Sequence, residues 1–186
     1  MPKVVMLLAD GFEEVEAIGI ADVLRRAGIE TVLAGLREGQ VTGAHNVRVL
    51  PDAVIDSILP EEFDMLVLPG GQPGADNLNA DPRVRALITE FSQRGRLLGA
   101  ICAAPYVLAE AGVLTGLQAT SYPSYKDRLG TADYRETSVV EHGNVMTSRG
   151  PGTALCFGLA IAKRLAGPEK AEQVRSAMLI QDRCDS

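Results

Sequence analysis

Cys102 is the residue most clearly set up for chemistry. It stands in Gly99-Ala100-Ile101-Cys102-Ala103-Ala104-Pro105, where a strand-like run meets a helix-like one. A nucleophile exposed on a strand-to-helix elbow needs small residues two before and two after it, because the strained turn leaves no room for side chains. Ala100 and Ala104 meet that need. A helix starting just beyond offers unpaired N–H groups and a positive dipole end, both of which favour a thiolate. Cys102 is therefore expected to be the fast-reacting, ionised thiol. A free cysteine is more often a small core residue, and that reading suits Cys156, which lies between Leu155 and Phe157 in an apolar helix. Cys184, near the chain end, is expected to be exposed.

A carboxyl comes next. Asp10, Glu13, Glu14 and Glu16 crowd the start of the first helix. Complementing the helix dipole accounts for Glu13 and Glu14. Glu16 differs, because at about 100° per residue it shares an arc of about 60° with Ile20, Val23 and Ala27, the apolar stripe. An ionised carboxyl there is costly, so it is expected to be paired or to have a raised pKa. A protonated Glu beside a thiol can donate a hydrogen bond to the thiolate and move a proton. Buried carboxyls also serve structure alone, and helix position by itself leaves both readings open.

The third feature is Leu68-Pro69-Gly70-Gly71-Gln72-Pro73-Gly74. Paired glycines after a strand let backbone N–H groups approach a ligand; a simple tight turn explains the same residues equally well. Neither the dinucleotide nor the Walker phosphate pattern is present. His45 and His142 are the only histidines, and neither has a neighbouring Cys or His ligand. A metal site and a Ser-His-Asp set therefore both lack support.

The elements must bring these residues together. Val4–Leu8, Glu30–Ala34, Met65–Leu68 and Leu97–Ile101 read as strands, apolar without alternation and so buried on both faces. Val47–Leu50 reads as a short strand. Ser138–Val140 and Val145–Ser148 read as a hairpin around His142-Gly143-Asn144. Helices are expected over Glu13–Ala27, from Pro82 to about Arg94 behind an Asp81 cap, over Ala103–Ala111, over Thr153–Ala166, and from Pro168 onward. Strands alternating with helices predict an α/β, doubly wound, mostly parallel sheet. Its ligand site should lie beyond the carboxyl ends of the strands, where the turns after Leu8, Leu68 and Ile101 converge.

Composition bounds the function. The 186 residues, 46% apolar and 23% charged, fit one globular domain spanning 1–186. A net charge of −6 and an aromatic content of 4% argue against nucleic acid as partner. No apolar run reaches the roughly 18 residues of a membrane span. No signal peptide is read at the N-terminus, and three cysteines without a pairing pattern point to a reducing cytoplasm.

Four segments in register resemble the DJ-1/ThiJ/PfpI superfamily: Asp10-Gly11-Phe12-Glu13-Glu14-Val15-Glu16, Leu68-Pro69-Gly70-Gly71, Ala100-Ile101-Cys102-Ala103-Ala104-Pro105 and Thr147-Ser148-Arg149-Gly150-Pro151-Gly152-Thr153. The resemblance covers essentially the whole chain and is greatest to the DJ-1 and bacterial YajL branch. It implies a flavodoxin-like sandwich, a homodimer and no cofactor. It matches Cys102 to the family's nucleophile, Glu16 to its hydrogen-bonded glutamate, and the N–H groups of Gly71 and Ala103 to its oxyanion donors, with Gly70 beside them. It also matches Arg26 to one basic residue of an anion site, with His45 where animal members carry a second arginine. Tyr122 stands where those members carry a histidine, so proton transfer falls to Glu16, and Ala103 replaces the histidine of peptidase-like members.

The activity implied is that of a cofactor-independent cysteine enzyme acting on small reactive dicarbonyls such as methylglyoxal, or a protein deglycase. The alternative is a redox-sensing protective protein or chaperone in which oxidation of Cys102 is the signal.

Overall fold

The computed structural model describes residues 1–180 and Cys184. In chain order its strands are β1 (Lys3–Leu8), β2 (Glu30–Gly35), β3 (Val41–Thr42), β4 (Arg48–Val49), β5 (Ala53–Val54), β6 (Met65–Leu68), β7 (Leu97–Ile101), β8 (Gln118–Ala119), β9 (Asp133–Tyr134), β10 (Val139–His142) and β11 (Val145–Ser148). The helices are α1 (Glu14–Arg26), α2 (Gly74–Ala80), α3 (Pro82–Gln93), α4 (Pro105–Glu110), α5 (Ala154–Ala166) and α6 (Pro168–Ala177). The main sheet runs β10-β11-β7-β6-β1-β2-β5. It is parallel apart from β10, which pairs antiparallel with β11.

Both faces of the sheet are covered, which is why its central strands are apolar without alternation. Val4, Met6 and Leu8 of β1 turn toward α1, α5 and α6, while Val5 and Leu7 turn toward α2, α3 and α4. This is the doubly wound α/β sheet that the alternation of elements predicts, in the flavodoxin-like form that the resemblance implies. From β1 the sheet grows through β2 on one side and β6 on the other, so the strand order reverses between β1 and β6. The turns after β1, β6 and β7 meet beyond that switch point, where doubly wound sheets hold ligands. Backbone hydrogen bonds lace the first two turns together: Glu13 N–H donates to Gly70 O at 2.9 Å and Gly74 N–H to Gly11 O at 3.2 Å.

Several boundaries differ from expectation, each for a local reason. The Asp81 cap holds, its side chain accepting from Arg83 N–H at 2.9 Å with Pro82 behind it. Helix α4 begins two residues later than expected, because Cys102 takes φ +63° and the chain must recover from that turn before Pro105. Residues 48–49 pair with β3 outside the main sheet, whose edge is instead β5. His142 is the last residue of β10, paired with Val145, and its Nδ1 accepts from Gln118 N–H at 2.9 Å; it is a strand residue and not a turn residue.

The expected roles of two cysteines are overturned. Cys156 and Cys184 are joined by a disulfide, 28 positions apart in sequence with Cα atoms 5.1 Å apart. Cys156 is half-buried rather than a core residue, since α5 turns its deeper face, with Phe157 and Ile161, toward the sheet. No described helix is long and apolar enough to cross a membrane.

Candidate functional site

Cys102 sits one residue beyond β7 with a left-handed backbone, which non-glycine residues rarely adopt. Backbone bonds on both sides hold it there. Its N–H donates to Ser148 O at 3.0 Å, and its carbonyl accepts from Tyr122 N–H at 2.8 Å. The thiol is free and half-buried. The expected helix start contributes little: α4 has six residues, and its first, Pro105, has no N–H. The groups that donate to the sulfur are instead the N–H groups of Gly71 and Ala103.

Gly70 and Gly71 are glycines for steric reasons. A Cβ on Gly70 would lie 2.7 Å from the Cβ of Cys102 and 2.9 Å from Glu16 Oε2. A Cβ on Gly71, at φ +89°, would lie 2.3 Å from the Glu13 nitrogen. The bare backbone of this turn therefore forms the wall between thiol and carboxyl, and its N–H groups can address both.

Glu16 enters from α1 with no exposed surface. Gly70 N–H donates to its Oε2 at 2.7 Å. Its Oε1 is buried without a hydrogen-bond partner, and the side chain that acts on the carboxyl as a hydrogen-bonding neighbour is Cys102. Burial is the main cause that raises the Glu16 pKa to about 7; Gly70 N–H and the thiol oppose it, and the Glu13 charge adds to it. Burial likewise pushes the Cys102 thiol up, to about 12, with the Glu16 charge and hydrogen bond adding, while the Ala103 and Gly71 N–H groups pull it down. The Glu16 charge opposes ionisation of the thiol, whereas the thiol's hydrogen bond eases ionisation of Glu16. The ionised thiol expected from the helix start is therefore not what burial favours; one proton leaves the pair near pH 7 and one remains for the two groups.

The other residues singled out by sequence fall at different distances from this pair. Tyr122 borders it, half-exposed, its ring beside Gly150. Arg26 lies at the far end of α1, roughly 15 Å along the helix from Glu16, in an ion pair with Asp22 at 2.9 Å. His45 is exposed at the near end of α1. Its N–H and that of Val47 donate to Glu14 Oε1 at 2.7 and 3.3 Å, and its Nδ1 meets Glu14 Oε2 at 2.9 Å.

Glu14 is thus a buried fastener of the 43–47 loop, a role that dipole reasoning missed because its partners lie some thirty residues away. Glu13, Glu14 and His45 bring ligand atoms within 4.8 Å of one another. Both Glu14 oxygens are already engaged, so this cluster reads as a loop clasp and not as a cation site. A nucleophile, a proton store and two convergent N–H donors can together support addition to a carbonyl and stabilise the resulting oxyanion.

The sequence pattern of the DJ-1/PfpI family matches residues 2–164. The chain is 44% identical over 178 residues to protein dj-1beta of Drosophila melanogaster, covering 94% of this chain and 95% of that protein. It is 36% identical over 172 residues to the glutathione-independent glyoxalase DJR-1.2 of Caenorhabditis elegans, covering 91% of each. The crystal structure of Drosophila DJ-1beta superposes with a TM-score of 0.94 at 43% identity, over 97% of this chain and 99% of that one. That of Toxoplasma gondii DJ-1 in an oxidized form gives 0.92 at 32% identity, over 96% and 98%.

Proposed function

The chain belongs to the DJ-1/PfpI family, and from that premise we propose that it is a cofactor-independent cysteine enzyme of one domain, converting small dicarbonyls such as methylglyoxal to 2-hydroxy acids without glutathione. The observation that carries the reading is the pairing of Cys102 with Glu16 across the bare Gly70-Gly71 backbone. The relative named as a glutathione-independent glyoxalase supports the substrate class.

The Cys102 thiolate adds to the aldehyde carbon, Glu16 holding the proton it gave up. The Gly71 and Ala103 N–H groups receive the oxyanion as it forms. Glu16 protonates that oxygen and, now a carboxylate, takes the hydrogen from the hemithioacetal carbon. Returning it to the neighbouring carbon, while the hydroxyl proton passes to the neighbouring oxygen, leaves a 2-hydroxyacyl thioester, which water hydrolyses to the acid and the free thiol. Methylglyoxal plus water becomes lactate and one proton.

Turnover of methylglyoxal in glutathione-free buffer tests this. Cys102→Ser should abolish it, Glu16→Gln should lower it roughly 10²–10⁴-fold, and His142→Ala, remote from the pair, should leave it unchanged. Turnover that survives in Cys102→Ser overturns the reading.

Oxidation of Cys102 as a signal is the second reading. It is favoured by the unpartnered Glu16 Oε1, which when protonated can donate to an oxygen on an oxidised sulfur. Absence of turnover in the fully reduced parent moves the assignment there.

We also infer a homodimer. Val15 and Ile18 point outward from α1, Leu155 lies against Gly19, and Val47 adjoins Glu14, so four exposed apolar side chains lie on one side of the molecule. Ile18→Glu should convert a dimer to a monomer in sedimentation analysis; a parent that sediments as a monomer at micromolar concentration refutes the dimer.

A further inference from the structure

A second pair of sulfurs, not bonded to Cys102, lies on the side of the sheet covered by α5 and α6. Helix α6 ends on a turn that reverses the chain. Leu179 takes φ +56°, its N–H donates to Ser176 O at 3.2 Å, and Ile180 N–H reaches back to Arg175 O at 3.1 Å. That pair of bonds closes the helix end and redirects the chain beyond it. Met178, Ile180 and Cys184 then pack against the core cluster that α5 covers. Packing and the helix stop thus bring Cys184 back to Cys156, with Cα atoms 5.1 Å apart, inside the range that native disulfides span. Both residues remain half-buried and line a cavity of about 660 Å³, shared with Leu159, Lys163, Pro168 and Glu172. Small thiols and peroxides can therefore reach the sulfurs from solvent.

We propose that Cys156 and Cys184 form a second redox site, a reversible intrachain dithiol–disulfide pair that fastens the chain end to α5 and works independently of Cys102. The electron balance is that of thiol–disulfide exchange. One thiolate attacks oxidised glutathione, releases one reduced glutathione and holds the other as a mixed disulfide. The second thiolate then displaces that glutathione and forms the intrachain S–S bond. Two protein thiols are oxidised, and one glutathione disulfide is reduced to two thiols. The loop so closed contains all of α6, so the bond constrains the unfolded chain over 28 positions.

The test uses full-length Cys102→Ser protein, reduced and then equilibrated across a series of glutathione redox buffers, with peptide mapping under non-reducing conditions. The expected product is one linked peptide pair containing Cys156 and Cys184, two hydrogens lighter than the reduced pair and returned to free thiols by excess reduced glutathione. Closing the link should raise Tm by roughly 5 °C, and the same treatment of Cys102→Ser/Cys184→Ser protein should not. Circular dichroism of the reduced protein checks that it stays folded, so that loss of the link is not read as loss of the fold. Glutathione adducts or links between chains in place of the intrachain pair would overturn the proposal, as would two thiols still fully alkylated in the most oxidising buffer.

Discussion

Glu16 makes Cys102 harder to ionise while the thiol's hydrogen bond makes Glu16 easier to ionise, and that coupling is the main chemical property of the site. Burial alone would keep both protonated. The donors that favour charge are divided, Gly70 N–H at the carboxyl and the Gly71 and Ala103 N–H groups at the sulfur. One proton therefore leaves the pair near pH 7, and the second leaves only at much higher pH. Alkylation of Cys102 measured against pH should accordingly rise in two steps, the first near 7, and Glu16→Gln should give one. Identical single-step profiles in the two proteins would mean that Glu16 does not govern the thiol. Both residues were legible in the sequence, Cys102 through the small residues of its elbow and Glu16 through its place on the apolar stripe of α1. The raised pKa of Glu16 was legible too, from the cost of an ionised carboxyl on that stripe, but the state of the Cys102 thiol was not, because burial and Glu16 push it up where an ionised thiol was expected. The helix-start argument assigned the thiolate to a dipole, whereas α4 is short and opens on a proline, so the decisive donors come from backbone that only the fold brings near.

The turns matter more than the strands in positioning this site. Glu14 shows how much a turn can depend on one side chain. Nearly buried, it accepts two N–H groups from the 43–47 loop and meets the His45 ring, and the Gly43 backbone is packed against its carboxyl. Those bonds hold its pKa below the usual carboxylate range against the opposing pull of burial. Glu14→Ala should strand the two N–H groups and cost about 1–3 kcal/mol in urea unfolding. His45→Ala removes one exposed ring and should cost clearly less. Equal losses would mean that the ring and not the backbone clasp holds the loop. The strands at the sheet's centre, β1, β6 and β7, were readable because burial on both faces leaves an unbroken apolar run. The two-residue edge strand β5 and helix α2, which starts at Gly74 and contains two asparagines, carry no such periodicity. Long-range pairs were invisible for a related reason: Glu14 with Val47, His142 with Gln118 and Cys156 with Cys184 are contacts the folded chain creates and no local pattern announces.

The whole molecule's response to pH is set by groups pulling in opposite directions. Asp10, Glu14 and Asp81 have depressed pKa values, held down by backbone N–H groups, His45 and arginines. Their stabilisation is present above the unfolded carboxylate values and is lost as acid protonates them in the fold. Glu16 works the other way. Its folded pKa, about 7, lies above the ordinary value of 4.5, so between those two the folded chain keeps a proton that the unfolded chain has released. The stability it contributes is complete below pH 4.5 and falls away as pH rises through 7, a change of roughly 3 kcal/mol. His45, raised by Glu14 and Glu13, adds in the same sense, its contribution also fading as pH rises. The carboxylates thus limit stability on the acid side and the buried Glu16 on the basic side, which puts the optimum near pH 5. Glu16→Gln removes the second limit while keeping the side chain's size. Urea unfolding of parent and variant, both held in the same oligomeric state, should show the variant gaining roughly 3 kcal/mol on the parent between pH 5 and pH 8. A difference that stays constant over that window would place the ionisation of Glu16 outside it, and would remove the proton that the site needs to keep at neutral pH.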